Sequence, residues 1–506
     1  MTWKNGREQP SDGSWTNMAC IGRCSPRRHH YPTSVVEIIG LVKHIRSSGE
    51  HCRVAGAGKS PNTCAFTDGH LIHMDRLNRI TSIDEQAMTI TCEAGVLMHN
   101  VFDELSRHDL MLRCVPSYVE TTVAGVIATA THSSGINSRS ISDYVVKLQV
   151  VDGAGVLRTF DSSTPKELSL AACHLGVLGV VVSVTLQAER KSLWRLESRP
   201  IALSTLTQGD TLHRRINESE FYRFFWMPNT DCCYESIGTR IRDAETPTGN
   251  QGDSVMSATR KTDVSGSETG VEKGMGFGGM YKSWQKEQKS LRSRTCKVLK
   301  GNWLRHNVVE AALAASTFYP GIQPYINRAY RYIFYSTSDV QYGTSLECFS
   351  FDCLFKQWAC EWAIDIDNAL QAFHYLRDLI KSENLRVHFP VEFRFTGADS
   401  TALSPAHGRK TCWIGIVMYR PHMLHAPDTM RYYDAFSQAM TAIGGRPHWA
   451  KYYTWGPADV KAAYGRNWED FLRLRTKMDP NDIFLNGWFN SLTGRSPVIN
   501  STISHL

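Results

Sequence analysis

Residues 53–62, RVAGAGKSPN, combine two close glycines with a lysine and a serine, residue types that cradle a phosphate. A triphosphate loop of the form G-x-x-x-x-G-K-[ST] needs a glycine six residues before its lysine, and counting back from Lys59 gives Arg53. Pro61, directly after Ser60, also opposes the helix that such a loop must start. What remains is a turn in which Ala55, Gly56, Ala57, Gly58, Lys59 and Ser60 offer backbone N–H groups to a pyrophosphate, or a plain glycine turn between two strands. A second small-residue stretch, residues 120–145 with ATATHSSG at 128–135 (Thr131, His132, Ser134 and Gly135 among them), could lie flat against a planar ligand while its hydroxyls and amides bond the ligand's edges, or pack against a neighbouring backbone. In HFPVEFRF, residues 388–395, strand alternation puts Glu392 and Arg394 side by side on one face and Phe389, Val391, Phe393 and Phe395 on the other. On spacing alone that pair is an ordinary salt bridge. His448 and Lys451 in GGRPHWAKYY, residues 444–453, are by themselves a polar–aromatic strand or turn.

These groups need a scaffold, and the chain is long enough for two domains: 506 residues, 42% hydrophobic and 10% aromatic. The capping box Ser34-x-x-Glu37 opens a helix running to about Ser48 and ending at Gly49. Short strands follow at Cys52–Ala55, 71–74 and 88–92, with a helix between Gly95 and Leu110. Further strands are expected at 144–151, 156–160 and 179–186. This mixture predicts an α+β domain over 1–190. A cap over 191–465 follows, with a mobile insertion at about 244–290 that is rich in Gly, Ser, Thr and charge. Residues 466–506 return to the first domain. The net charge of +7 is spread along the chain, apart from Arg27-Arg28-His29-His30 and residues 282–305, which argues against a nucleic-acid footprint. The 14 cysteines show no zinc spacing or disulfide framework, and so read as free thiols with no metal site. No secretory signal or apolar run long enough to span a bilayer is expected. The last three residues, Ser504-His505-Leu506, are a conservative variant of the Ser-Lys-Leu peroxisomal address.

The order of Gly56-Ala-Gly-Lys-Ser-Pro61, Thr67-Asp-Gly69 through Leu77-Asn-Arg79, the 128–135 loop and Gly176-Val-Leu-Gly-Val-Val181 resembles the flavin-binding domain of the vanillyl-alcohol oxidase family. Within that family the chain is similar to the aldonolactone oxidoreductases, the trypanosomatid form above all. The resemblance implies a two-domain FAD flavoprotein. Its cofactor contacts would include Val180 and His448 besides the two loops, and its substrate would be an aldono-1,4-lactone oxidised at C2. Glu392 would hold substrate hydroxyls and orient Arg394, which would stabilise negative charge, while Lys451 would supply a cation near the flavin ring. In many relatives a histidine at the position of Lys59 is bonded to the flavin, so the lysine implies non-covalent FAD. The electron acceptor would be oxygen or cytochrome c. The C-terminal tripeptide would address an import receptor of the glycosome or peroxisome, with cytosol or mitochondrion as alternatives. The alternative activities are an alditol or sugar oxidase of the same superfamily and a non-redox nucleotide-binding module.

Overall fold

The computed structural model describes residues 2–4, 7–9, 12–241, 306–351 and 355–495. The 244–290 insertion and the Ser504-His505-Leu506 tail lie outside the described residues. Helix α1, Val35–Ser47, begins where the capping box placed it: Ser34 accepts from the Glu37 N–H, while the Glu37 carboxylate takes the N–H of Thr33 at 2.8 Å. Its residues Ile38, Val42 and Ile45 recur on one face and are fully buried, each contributing about 1.5–3 kcal/mol of apolar burial. Strands β1 (Arg28–His30), β2 (Cys52–Ala55) and β3 (His70–His73) form a small parallel sheet in the order β1-β3-β2. Strands β4 (Ile80–Asp84), β5 (Thr89–Glu93), β6 (Val145–Val151), β7 (Leu157–Phe160) and β8 (Val180–Gln187) form an antiparallel sheet in the order β7-β6-β8-β5-β4. The predicted strands of this half are all present, displaced by a residue at most. Helix α2, Met98–Arg107, fills the predicted helical interval, and the shorter α3, Val123–Ala128, starts at the cap residue Thr122.

The second half is organised on one eight-stranded antiparallel sheet. Its strands are β9 (Leu193–Ala202), β10 (Phe221–Trp226), β11 (Cys232–Ile241), β12 (Asp339–Gly343), β13 (Gln357–Asp365), β14 (Val391–Thr396), β15 (Thr411–Tyr419) and β16 (Arg446–Pro447). Their order is β12-β9-β11-β10-β14-β15-β13-β16. Helices Ala369–Ser382 and Thr429–Ala442 cover one face with Phe373, Leu376, Tyr433 and Phe436. The other face looks toward the first half.

Backbone hydrogen bonds close the seam: Gly135 N–H to Phe395 C=O at 2.6 Å and Gly397 N–H to Ser138 C=O at 2.8 Å. The last described helices, Arg466–Met478 and Gly487–Thr493, return the chain to the first half, where Cys52 N–H meets the Ile483 carbonyl at 2.7 Å. The described cysteines are free thiols, and no described helix is long and apolar enough to cross a membrane.

Candidate functional site

A cavity of about 970 Å3 lies between the glycine-rich loops and the inward face of the large sheet. One side of it is built from small residues: Gly56, Ala57 and Gly58 after β2, Ala124 and Gly125 on α3, and Gly176 and Gly179 before β8. Gly56 is required sterically, since a Cβ there would stand 2.2 Å from Thr122 Oγ1. Gly58, at φ +65°, takes the left-handed turn that most side chains resist. Arg53, the first residue of the loop stretch, holds this side together. Its guanidinium donates to the carbonyls of Gly176 and Phe484 at 2.8 Å, to Leu175 at 3.2 Å and to Cys64. Burial lowers its pKa to about 10, and it joins the loop, the segment before β8 and the returning tail.

The opposite side is a row of side chains across the sheet. Glu361 on β13 is directly opposite Gly415 on β15, and Gly415 is opposite Glu392 on β14. Two residues along β14, Arg394 is opposite Arg223 on β10. Arg394 is 8% exposed; it donates to Ser117 Oγ at 3.0 Å and to Glu361 Oε1, and its Nε lies 3.6 Å from Glu392 Oε2. Glu361 therefore orients this guanidinium more closely than Glu392 does. Burial alone would raise the Glu361 pKa, but Arg394 and then His132 hold it well below the usual carboxylate range. Burial pushes Arg394 down, and Glu361 more than restores it.

His132 stacks on Trp413 with ring centroids 3.6 Å apart and brings Nε2 to 3.3 Å from Glu361 Oε1. Burial and Arg394 lower its pKa to about 4. Burial takes His448 to about 3, and its Nδ1 accepts the Ala450 N–H at 3.1 Å, so the ring proton sits on Nε2. The Glu361 carbonyl accepts the His448 N–H at 2.9 Å, which fixes the 446–452 turn to β13. Lys451 lines the same end of the cavity.

Gly56, Ala57, Gly58, Lys59, Ser60, Thr131, His132, His448, Glu392, Arg394 and Lys451 thus share one cavity. Four other predicted contacts lie off its wall. Ala55 packs with Trp15, Phe66 and Leu71, and Val180 is a core residue of β8 between two wall positions, Gly179 and Val181. Ser134 Oγ accepts the Phe395 N–H at 3.1 Å and donates to the Tyr222 carbonyl. Gly135 pairs with Thr396, where a Cβ would stand 2.2 Å from the Glu220 carbonyl oxygen. These two residues join the halves rather than face the cavity.

The sequence reading did not single out Glu361, Arg223, Gly415, Arg53 or His174. The available signal was a charge inside an apolar strand, as in CEWAID and YRFFW, because such residues are seldom buried without a task.

The wall fits a flat, extended dinucleotide such as FAD. Small residues allow close approach on one side, and buried polar atoms remain without hydrogen bonds among the described residues. His174 is one: its Nδ1 accepts the Gly176 N–H at 3.1 Å, leaving the Nε2 proton unmatched on the wall. His132, Glu361 and His448 present ligand atoms within 4.8 Å of one another, a donor set that a metal ion can use. The Arg394 guanidinium already engages that carboxylate, however, and Lys451 adds a second positive group, so the surrounding charge opposes a cation.

Comparison with known proteins places this geometry among relatives. Residues 26–161 match the family described as "FAD binding domain", and residues 279–492 match "D-arabinono-1,4-lactone oxidase". The chain is 31% identical to L-gulonolactone oxidase of Scyliorhinus torazame, over 93% of this chain and 96% of that protein. It is 30% identical to the Mus musculus enzyme of the same name, over 94% and 97%. It is 25% identical to D-arabinono-1,4-lactone oxidase of Saccharomyces cerevisiae, over 93% and 94%. Cholesterol oxidase from B. sterolicum superposes with a TM-score of 0.70 at 16% identity, covering 95% of this chain and 96% of that one; this shows a shared fold.

Proposed function

This chain belongs to the family of L-gulonolactone and D-arabinono-1,4-lactone oxidases, and from that premise we propose how its own residues work. It is an FAD-dependent enzyme that oxidises an aldono-1,4-lactone at the C2 hydroxyl, and the keto-lactone relaxes to the enediol of ascorbate or an analogue. The observation that carries the residue assignment is the convergence of Glu392, Arg394, Glu361, His132, His448 and Lys451 on one cavity whose other wall is made of glycine-rich loops. When bound, FAD supplies a two-electron acceptor for the hydride of C2.

The residues divide the remaining work. Arg394, fixed by Glu361 and Ser117, presents positive charge where negative charge develops, and it needs no reorganisation to do so. Glu361 is committed to Arg394 and His132 and is too acidic to take a proton, and the two buried imidazoles have pKa values of about 4 and about 3. Glu392 is the wall carboxylate beside Arg394 that is not so committed, and its Oε2 receives the hydroxyl proton as the hydride leaves. Neutral His448 donates through Nε2. Trp413 covers His132 from the side away from the cavity and excludes water.

We also read Lys59 as leaving FAD without a covalent tether. Its Nζ donates to the Tyr118 hydroxyl at 3.1 Å, and lysine has no imidazole nitrogen for a flavin bond. Oxygen or cytochrome c is the proposed acceptor, and glycosomal or peroxisomal import through Ser504-His505-Leu506 is proposed on the sequence and the trypanosomatid resemblance alone.

The test is a visible spectrum of the purified protein, followed by anaerobic mixing with galactono-, gulono- and arabinono-1,4-lactones. Flavin absorbance that bleaches supports the reading; a colourless protein overturns it. Bleaching by alditols alone puts the sugar-oxidase alternative ahead. Single-turnover reoxidation by oxygen and by cytochrome c then separates the acceptors.

A further inference from the structure

Arg223 lies outside every role assigned so far, yet it is 9% exposed and lines the cavity. The rings of Phe221, Phe225 and Phe351 surround its guanidinium, with centroids 5.6, 5.1 and 4.9 Å away. Those aromatic faces hold the cation in place without using its hydrogen-bonding protons. Its one carboxylate neighbour in the pocket, Glu392, approaches only to 3.9 Å between Oε1 and Nη1, beyond a direct hydrogen bond. Arg223 Nε and Glu392 Oε1 are both buried and have no hydrogen-bond partner among the described residues. A merely structural ion pair would close that gap, because each unmatched buried group costs about 1–3 kcal/mol.

We propose that Arg223 and Glu392 Oε1 form a specificity subsite for the terminal, C6 hydroxyl of a six-carbon lactone's exocyclic arm, an inference that rests on the lactone reading above. A hydroxyl is the group that fits: it accepts from the guanidinium and donates to the carboxylate, bridging 3.9 Å with one oxygen. The position along the sheet agrees. Glu361 and Arg394 mark the reacting end, on β13 and β14, and Arg223 lies on β10, one strand beyond β14. Neighbouring strands are about 4.8 Å apart, so a ligand whose ring lies at β14 extends its arm toward β10. Glu392 then serves both ends, with Oε2 toward Arg394 and Oε1 toward Arg223.

The experiment uses full-length, FAD-loaded enzyme and stopped-flow anaerobic flavin reduction. It compares a six-carbon lactone (L-gulono- or L-galactono-1,4-lactone) with D-arabinono-1,4-lactone, whose arm is one hydroxymethyl shorter. In Arg223→Met the Kd of the six-carbon lactone is expected to rise about tenfold or more, and that of the five-carbon lactone clearly less, as for loss of a matched hydroxyl contact. The limiting reduction rate should change less than the Kd, and Arg223→Lys should fall between Met and wild type. Equal losses on both lactones, an unchanged Kd, or a loss confined to the limiting rate overturns the subsite while leaving the lactone reading intact. Should Arg223→Met fail to load FAD, Arg223→Lys decides: a Kd ratio between the two lactones equal to that of wild type overturns the proposal. A wild-type enzyme reduced by no aldonolactone overturns the lactone reading and this subsite together.

Discussion

Gly415→Ala is expected to stabilise the protein and impair catalysis at once. Gly415 lies mid-strand on β15 and is not among the glycines with positive φ. A Cβ built there meets nothing closer than Glu361 Oε1 and the Glu392 Cβ, both at 3.8 Å, which is ordinary contact. The backbone therefore does not demand glycine. Glycine inside a strand costs roughly 0.5–1 kcal/mol relative to alanine, so a reason other than folding must keep it. On the proposed function, the reason is the space above it, between Glu361 and Glu392. An alanine methyl would occupy part of the volume meant for the lactone ring. Filling or emptying one methyl in a substrate pocket is worth about 1–3 kcal/mol, or roughly 10–200-fold in kcat/KM. The melting temperature should rise by about 1–4 °C, since 1 kcal/mol moves the midpoint of a domain of this size by roughly 2–4 °C. The assay is thermal denaturation alongside anaerobic flavin reduction, with flavin content measured first. Unchanged kcat/KM would refute the assignment of the space above Gly415 to substrate. Loss of FAD from the variant would refute the division of the cavity into a cofactor wall and a substrate wall.

Three further outcomes are expected. Glu361→Gln keeps an acceptor for Arg394 but removes the charge that balances it; flavin reduction should slow by about tenfold or more and the melting temperature should fall, as for a buried pair left half-compensated, and an unchanged rate would show that Arg394 is oriented by Ser117 alone. On the proposal that Lys59 leaves FAD untethered, acid precipitation should release yellow FAD into the supernatant; colour kept in the pellet contradicts this. Asp399, at the seam, accepts from Ser140 N–H at 2.9 Å, and burial with nearby Asp143 raises its pKa from 3.8 to about 6. The folded state thus holds a proton that the unfolded chain has lost, so this group subtracts stability as pH climbs from about 4 to about 6, by roughly 3 kcal/mol at most. Asp399→Asn should flatten that slope in melting curves, and an unaltered slope would show that the carboxyl is not what titrates.

The parts of this molecule that sequence made legible are those whose partners lie within a few residues. Ser34 and Glu37 define a helix start between them, and the alternation of residues 388–395 identified which side chains of β14 share a face. Glu361 and Arg394 meet across the intervening strand β15, and Arg223 reaches Glu392 only through the β10–β14 pairing, whose register joins residues about 170 apart. No local pattern encodes such a register. A charged residue inside an apolar strand can signal that a partner exists, but not which one it is.

The 128–135 loop shows why small residues mislead even when they are noticed. Two readings were open for it, a flat surface against a planar ligand and a tight packing against another backbone, and one continuous stretch divides between a cavity wall and the backbone packing. Thr131 and His132 face the cavity; Ser134 and Gly135, a few residues on, bond the backbone of β14 at Phe395 and Thr396. The second contact makes the first effective. Phe395 is the next residue after Arg394, so its N–H donated to Ser134 Oγ and its carbonyl accepting from Gly135 N–H tie the strand carrying the guanidinium to the loop carrying His132. On the proposed role of Arg394, its chemistry depends on a seam that itself contains no catalytic group. Ser134→Ala should therefore lower the limiting rate of flavin reduction more than it weakens FAD retention, and the reverse order would place Ser134 with the cofactor after all.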